Sequence, residues 1–157
     1  MRHSKAEIDS PTDNDFDRRL KKKGIVAAKY ISKTLATMKI VPDFIVTSPV
    51  VRALSTAQVV AEHFGIQQKM LIKNYLYNRL YTFKEIVEDI QSFQNESSSV
   101  IIIAHNPGVS YLLQEIDSKS NDVLATSSAV VFDFDTTNWN ELLSSACVRR
   151  CKIDKEN

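Results

Sequence analysis

The sequence lacks an excess of charge of either sign, and it lacks any long apolar run. Lysine and arginine number 20 and aspartate and glutamate 19, so the formal net charge of the 157 residues is +1. This balance gives no electrostatic reason to expect a nucleic acid or a membrane surface as partner. No apolar stretch approaches the roughly 20 residues that cross a bilayer, and the polar stretch 2–17 does not form a signal-peptide pattern. We therefore predict a cytoplasmic protein with neither kind of partner.

Cysteine is also scarce. The two cysteines, Cys147 and Cys151, lie close together near the C-terminus, where a disulfide would close a short loop and stabilise the fold little. Reduced thiols are therefore expected. No cluster of histidine and cysteine accompanies them, so we predict no metal site and no cofactor.

The length and the apolar fraction of the chain fit one domain. With 157 residues, 43% of them hydrophobic, the chain can bury a single sizeable core. It contains no internal repeat and no low-complexity segment. We predict one domain over residues 1–148 and a charged tail over residues 149–157.

Hydrophobic periodicity predicts apolar strands that alternate with amphipathic helices. Strands are expected over about 44–46, 70–72, 100–104 and 128–133. Helices are expected over about 20–38, 48–64, from 82 onward, and over 109–117, and a last strand or helix follows residue 139. This order predicts an α/β fold, a three-layer α/β/α sandwich with a mostly parallel central sheet.

Polar residues follow two of the predicted strands, at the edge of the sheet where ligands of such folds bind. Ser48 follows the strand over 44–46, and His105 follows the strand over 100–104. Arg2 and His3 would lie at the same edge if a strand preceded them, but nothing precedes Met1 in this sequence. We expect either that upstream residues are missing or that the sheet lacks its first strand.

Arg52 lies about one turn into a helix that Ser48 is predicted to cap, with Pro49 at the first position. Its guanidinium can lean back to the helix N-terminus, where a cation is unfavourable unless an anion is bound. Helix N-termini bind phosphate, and a guanidinium adds a two-pronged donor. Taken alone, Arg52 can equally be a solvated surface arginine.

The two histidines near the sheet edge suggest phosphoryl chemistry. A protonated His105 could donate to a phosphoryl oxygen, with its pKa raised by the bound dianion; alternatively, it is a structural loop histidine. A neutral His3 is the candidate nucleophile, because covalent catalysis splits one difficult transfer into two easier ones. Arg2, Arg52 and His105 would then neutralise the phosphoryl oxygens without a metal ion.

Three segments carry a family resemblance. Arg2-His3-Ser4, the sequence SPVVRALSTA over 48–57 and the sequence AHNPG over 104–108 resemble the histidine phosphatase superfamily, whose usual opening is Arg-His-Gly. Within it, the small SixA-type phosphohistidine phosphatases are the most similar subgroup. The resemblance implies a phosphoglycerate-mutase-like fold, His3 as nucleophile, and Arg2, Arg52 and His105 as the remaining phosphate pocket, to which we add Ser48.

The general acid is the least defined part of the site. The acidic residues between Arg52 and His105 fall on a predicted helix, where they are most simply its solvated face. By resemblance, Asp15 in the loop after His3 is the candidate acid. An acid can also be dispensable, because phosphohistidine is a phosphoramidate whose imidazole leaves more easily than an alkoxide.

The short interval between Arg52 and His105 leaves little chain for a lid over a small substrate. An open site suits a phosphate carried on another protein. We therefore predict a metal-independent phosphatase that hydrolyses phosphohistidine on a signalling or phosphocarrier protein through a phosphohistidine intermediate on His3. Two alternatives stay open: a general small-molecule phosphomonoesterase, and a phosphate- or phosphoprotein-binding module without turnover.

Overall fold

The computed structural model describes residues 1–78, 80–91 and 99–155. The helices in these ranges are α1 (Lys22–Thr37), α2 (Val51–Phe64), α3 (Tyr75–Asn78), α4 (Phe83–Gln91) and α5 (Gly108–Ile116). The strands are β1 (Phe44–Thr47), β2 (Met70–Ile72), β3 (Val100–Ile103), β4 (Ala129–Phe134) and β5 (Cys147–Ile153). Short 3-10 helices lie at Asp15–Asp17, Gln67–Lys69 and Trp139–Glu141. No helix in the described part of the chain has the length and apolar character needed to cross a bilayer.

The central sheet consists of three parallel strands in the order β2-β1-β3. In register, Val46 of β1 lies opposite Leu71 of β2 and Ile102 of β3. All four residues of β1 are buried, as expected for a parallel strand whose two faces are both covered by helices. The continuous apolar runs that predicted these strands therefore arise from burial on both sides.

Helices cover both faces of this sheet. Because successive side chains of a strand point to opposite faces, Ile45 of β1 packs with Ala53 and Val60 of α2. Phe44 and Val46 instead pack into a cluster on the other face, which contains Ile86 and Ile90 of α4 and Leu112 and Leu113 of α5. Helix α1 packs against α2. The predicted three-layer α/β/α architecture is confirmed.

The C-terminal residues form a strand rather than a tail. Strand β5 pairs antiparallel with β4, and Ile153 lies opposite Ala129 in register. Ile153 is buried with Ile31 and Leu35 of α1, whereas Arg150 forms an ion pair with Asp117 at 3.4 Å. The predicted charged tail is thus wrong for residues 149–153, because the charged side chains belong to a strand whose alternate residues enter the core.

The first residues of the chain join β3 to β4 without forming a strand. The backbone N–H of His3 donates to the Ala104 carbonyl at 3.0 Å, and that of Arg2 donates to the Ser128 carbonyl at 3.0 Å. The Met1 amino group donates to the Ile102 carbonyl at 2.8 Å. A cavity of about 630 Å³ lies beside this segment, lined in part by β3 and β4. In the described residues, no strand precedes β1, and the segment that contains Arg2 and His3 is held between β3 and β4 by these backbone bonds.

The loop after His3 crosses α1 at Gly24. The Lys5 carbonyl accepts from the Lys21 N–H at 2.9 Å, at the N-terminus of the helix. A Cβ atom at Gly24 would lie 2.2 Å from that carbonyl oxygen. The crossing therefore requires glycine, and it sets the path of the chain that leads from His3 to Asp15.

We expect Gly24→Ala to destabilise the fold by about 1–3 kcal/mol, the usual cost of overpacking against atoms that cannot move freely. The free energy of unfolding, measured in urea, tests this. The exposed neighbour Lys23 provides the control, because Lys23→Ala should change stability by less than about 0.5 kcal/mol. An increase in stability in Gly24→Ala, as alanine gives in an unobstructed helix, would contradict the close crossing.

Candidate active site

The carboxyl ends of β1 and β3 bring the predicted polar residues together. Ser48 directly follows β1, and His105 lies two residues beyond β3. His3 joins them because its backbone pairs with Ala104. The ring centroids of His3 and His105 lie 4.8 Å apart, with the planes at 48°. Both residues are buried, with 8% and 6% of their surface exposed.

His3 is held in one tautomer. Its Nδ1 lies 2.8 Å from the Ser4 carbonyl oxygen, which can only accept, so Nδ1 carries the proton and the lone pair resides on Nε2. Burial lowers the pKa of His3 to about 4, and the charges of Arg52 and Arg2 also lower it, while the Ser4 carbonyl acts in the opposite direction. At neutral pH, His3 is therefore an uncharged imidazole with a lone pair on Nε2.

His105 is also neutral in this structure. Burial, followed by His3 and Arg52, lowers its pKa to about 3. Its Nε2 lies 3.0 Å from Ser48 Oγ, and its buried Nδ1 has no hydrogen-bond partner among the described residues. The structure therefore differs from the expected protonated His105, because burial and the neighbouring Arg52 disfavour a charge on this ring. The unpaired Nδ1 leaves one position for a hydrogen bond to a ligand.

The guanidinium of Arg52 points toward Asp15. Its Nη1 donates to the Asp15 backbone carbonyl at 2.7 Å, and its Nη2 donates to Asp15 Oδ2 at 2.8 Å. Arg18 donates to Asp15 Oδ1 at 2.8 Å, and the Tyr77 hydroxyl donates to Oδ2 at 3.1 Å. Arg52 itself is 6% exposed. The Asp15 carboxylate thus has cationic or polar donors on both oxygens.

Arg2 supplies a second guanidinium near the two histidines. Its Nη1 donates to the Leu124 carbonyl at 2.8 Å, and its buried Nε lacks a partner within the described residues. Burial, and secondarily the charge of Arg52, lower the pKa of Arg2. Arg2 also contributes to the lowered pKa values of His3 and His105. Two cations and two neutral imidazoles therefore share one partly buried pocket, an arrangement that suits a multiply charged anion.

Comparison with known proteins identifies the family of this site. The family model of the histidine phosphatase superfamily, branch 1, matches residues 1–81, which is more than half of the chain. The chain belongs to the histidine phosphatase superfamily. A search of curated proteins found no match.

Solved structures share the fold along nearly the whole chain. The structure of the protein histidine phosphatase SixA complexed with tungstate has a TM-score of 0.76 at 22% identity, over 96% of this chain and 92% of that one. A proposed SixA phosphohistidine phosphatase from Agrobacterium tumefaciens has a TM-score of 0.72 at 24% identity, over 96% of this chain and 94% of that one. A mycobacterial glucosyl-3-phosphoglycerate phosphatase complexed with VO3 has a TM-score of 0.67 at 12% identity, over 92% of each chain. At these identities, the similarity shows the fold alone.

The helix that carries Arg52 in this histidine phosphatase begins later than the sequence predicts. Helix α2 begins at Val51, after Val50 as N-cap residue without a side-chain cap bond. The Ser48 N–H donates to the Ile103 carbonyl at 3.2 Å, so Ser48 extends the pairing of β1 with β3. The predicted cap at Ser48 is wrong because the helix begins three residues later, with Val50 as its N-cap residue. The Ser48 hydroxyl accepts from the Val50 N–H at 3.4 Å and also contacts His105 Nε2.

Thr56 holds the segment of His3 and Ser4 against α2, and the sequence did not indicate this role. The Ser4 N–H donates to Thr56 Oγ1 at 3.0 Å, and Thr56 Oγ1 donates to the Arg52 carbonyl at 2.7 Å. Ser127 Oγ donates to Ser4 Oγ at 2.9 Å. Thr56 follows Arg52 at a spacing that places both on one helix face. That spacing was the only signal in the sequence at Thr56, and no signal indicated Ser127.

Tyr77 is a further side chain at the site to which the sequence assigned no role. Its ring lies edge-on to that of His105, with centroids 5.5 Å apart, and the Arg52 guanidinium carbon is 6.0 Å from its centroid. Phe16 packs edge-on against it at 5.8 Å. An aromatic pair therefore borders the two imidazoles and the guanidinium.

The state of Asp15 does not fit the general-acid role expected for it. Hydrogen bonds from Arg18, together with those from Arg52 and Tyr77, lower the pKa of Asp15 to about 2. Its carboxylate is therefore ionised at neutral pH and has no proton to give. Among the described residues, no group of three or more His, Cys, Asp or Glu side chains is arranged to hold a metal ion.

The depressed pKa values of the two histidines predict that stability falls in mildly acidic solution. In the unfolded chain, histidine binds a proton below a pH of about 6.5, whereas folded His3 and His105 do so only near 4 and 3. The unfolded state then binds more protons, so the free energy of unfolding should fall as the pH decreases from about 6.5 to 4.

Urea unfolding at a series of pH values tests this prediction. The His105→Gln variant should show a smaller slope of stability against pH in this range, because one of the two buried imidazoles is gone. The buried Met1 amino group, whose pKa burial lowers from 8.0 to about 5, contributes equally in both proteins. The contribution of Asp15 occupies a different window, below its ordinary pKa of 3.8. Stability that stays constant from pH 7 to 5 would contradict the neutral buried imidazoles.

Proposed function

We propose that this protein is a phosphatase that removes the phosphoryl group from phosphohistidine on a signalling or phosphocarrier protein. The observation that carries the proposal is the neutral His3, with its lone pair on Nε2, in a pocket with Arg2, Arg52 and His105. Membership of the histidine phosphatase superfamily supports phosphatase chemistry in general.

The proposed reaction has two steps on His3. In the first, Nε2 attacks the phosphorus atom and the P–N bond to the substrate ring breaks; that ring carries a proton on its other nitrogen, so it leaves as neutral imidazole. In the second, water attacks the phosphoryl group on Nε2, the protons of that water pass to the phosphate and to solvent, and inorganic phosphate leaves the neutral His3, which keeps its proton on Nδ1. The covalent intermediate divides the transfer into two lower barriers, and Arg2 and Arg52 stabilise the charge on the phosphoryl oxygens in both.

The state of Asp15 favours a phosphoramidate over a phosphate ester. The imidazole of phosphohistidine leaves with little help, whereas an alkoxide needs a proton as the bond breaks. The carboxyl that contacts the phosphate pocket is ionised, so it cannot supply that proton. The similarity of the fold to SixA, a protein histidine phosphatase by name, agrees with this substrate class.

The access to the site also suits a phosphate on another protein. The Asp15 side chain, which binds Arg52, is 48% exposed, and Phe16 and Tyr77 beside it are half-buried. Solvent therefore reaches the outer part of the pocket, while His3 remains buried. A phosphohistidine side chain that projects from a protein surface can reach His3 through such an opening.

We expect His3→Gln to lower the rate of phosphohistidine hydrolysis on the order of 10³-fold or more, since it removes the nucleophile. Phosphate release from a phosphohistidine-bearing protein measures this. The exposed His63 lies outside the pocket and provides the matched control, so His63→Gln should retain the rate of the unaltered chain.

A substrate panel separates the remaining alternatives. The unaltered chain should hydrolyse phosphohistidyl protein much faster than sugar phosphates or p-nitrophenyl phosphate. Equal or higher rates on the esters would identify a general phosphomonoesterase. Binding of phosphate without turnover of any of these substrates would identify a phosphate-binding module.

A further inference from the structure

Both terminal nitrogens of the Arg52 guanidinium already donate to Asp15 in this structure. Nη1 and Nη2 both donate to Asp15, one to its backbone carbonyl and one to its carboxylate. Because the Arg52 side chain is 8% exposed, it has little freedom to present other atoms to a ligand. A phosphoryl group that accepts from the same two N–H groups must take the place of Asp15.

We propose that Asp15 is an internal competitor of phosphate, a positioning residue that holds Arg52 in the empty site and is displaced when the substrate phosphoryl group binds. This inference rests on the proposed function and assigns to Asp15 a role other than proton donation.

The chemistry of the two anions supports direct competition. A carboxylate and a phosphoryl group both accept two parallel hydrogen bonds from a guanidinium. The two cannot share Arg52 closely, since like charges at short distance oppose each other in a partly buried site. The Asp15 carboxylate, bonded to Arg52, offsets the repulsion between the two guanidiniums; burial, and then the charge of Arg52, lower the pKa of Arg2.

The surroundings of Asp15 allow it to leave. It begins the short 3-10 helix Asp15–Asp17, and its side chain is 48% exposed. Its second oxygen, Oδ1, pairs with Arg18, whose side chain is 30% exposed, so the carboxylate keeps a partner outside the pocket. Displacement also frees the Tyr77 hydroxyl, which donates to Oδ2, beside His105.

Binding of inorganic phosphate at neutral pH, measured by isothermal titration calorimetry, tests the proposal without any turnover. We expect Asp15→Ala to bind phosphate on the order of tenfold more tightly than the unaltered chain, the scale of one charged hydrogen bond. Asp17→Ala is the matched control. It removes the same charge two residues away, where the half-buried Asp17 carboxylate accepts from Thr12 Oγ1 rather than from Arg52. It should change the affinity less than about twofold, since solvent and salt screen a charge that does not contact the guanidinium.

Equal or weaker phosphate binding in Asp15→Ala would overturn the proposal, because Asp15 would then support the phosphate site rather than compete for it. An equal gain of phosphate affinity in Asp17→Ala would also overturn it, since the loss of any nearby negative charge would then explain both gains. Absence of measurable phosphate binding in the unaltered chain and in both variants would overturn the proposal as well.

The unaltered chain offers a second test that needs no variant to fold. Addition of phosphate should shift the ¹³C carboxyl resonance of Asp15 in the NMR spectrum and leave that of Asp17 in place. Phosphate binding with no change at Asp15 would contradict displacement. Because both measurements follow binding alone, their failure is distinguishable from failure of the proposed phosphatase activity, which the His3→Gln comparison measures.

Discussion

The hydrogen bond from Nδ1 of His3 to the Ser4 carbonyl fixes which nitrogen of this imidazole can react. The carbonyl can only accept, so the lone pair must reside on Nε2. The rest of the local structure keeps this contact in place: Thr56 accepts from the Ser4 N–H, and Ser127 donates to the Ser4 hydroxyl. Thr56 also bonds the Arg52 carbonyl, so the same contacts set His3 relative to the guanidinium.

The second constraint is electrostatic. Arg2 and Arg52 approach His3 and His105 in a partly buried pocket, where two further positive charges would be costly. Burial first, and then the neighbouring charges, keep both imidazoles neutral, and His3 is in the form that the proposed attack on phosphorus requires. The carboxylate of Asp15 supplies the counter-charge for Arg52 in the empty site. A phosphoryl dianion satisfies the same positive charge and can pair with the unbonded Nδ1 of His105.

The sequence was sufficient to predict the layers of the fold and the meeting of Ser48 and His105, because short apolar runs end at these residues on one sheet edge. The meeting of His3 and Arg52 with them was predicted from the family resemblance of the three segments. Other features depend on contacts between distant segments. The Asp15–Arg52 pair joins residues 37 positions apart, and no local pattern indicates it. Ser48 is not the helix cap because its backbone extends the pairing of β1 with β3 and the helix begins only at Val51. The charged residues of β5 alone predict a tail, and only the pairing of β5 with β4 shows that they belong to a strand.

The central claim is that Nε2 of His3 receives the phosphoryl group, and the most direct test is to find which nitrogen carries it. The protein, with ¹⁵N-labelled histidine, would be reacted with a phosphohistidyl donor, quenched without acid, and the phosphoenzyme examined by ³¹P–¹⁵N NMR and mass mapping. The structure predicts phosphate on Nε2 of His3, with Nδ1 still protonated. Phosphate on Nδ1, on another residue, or on none despite substrate turnover would contradict the account.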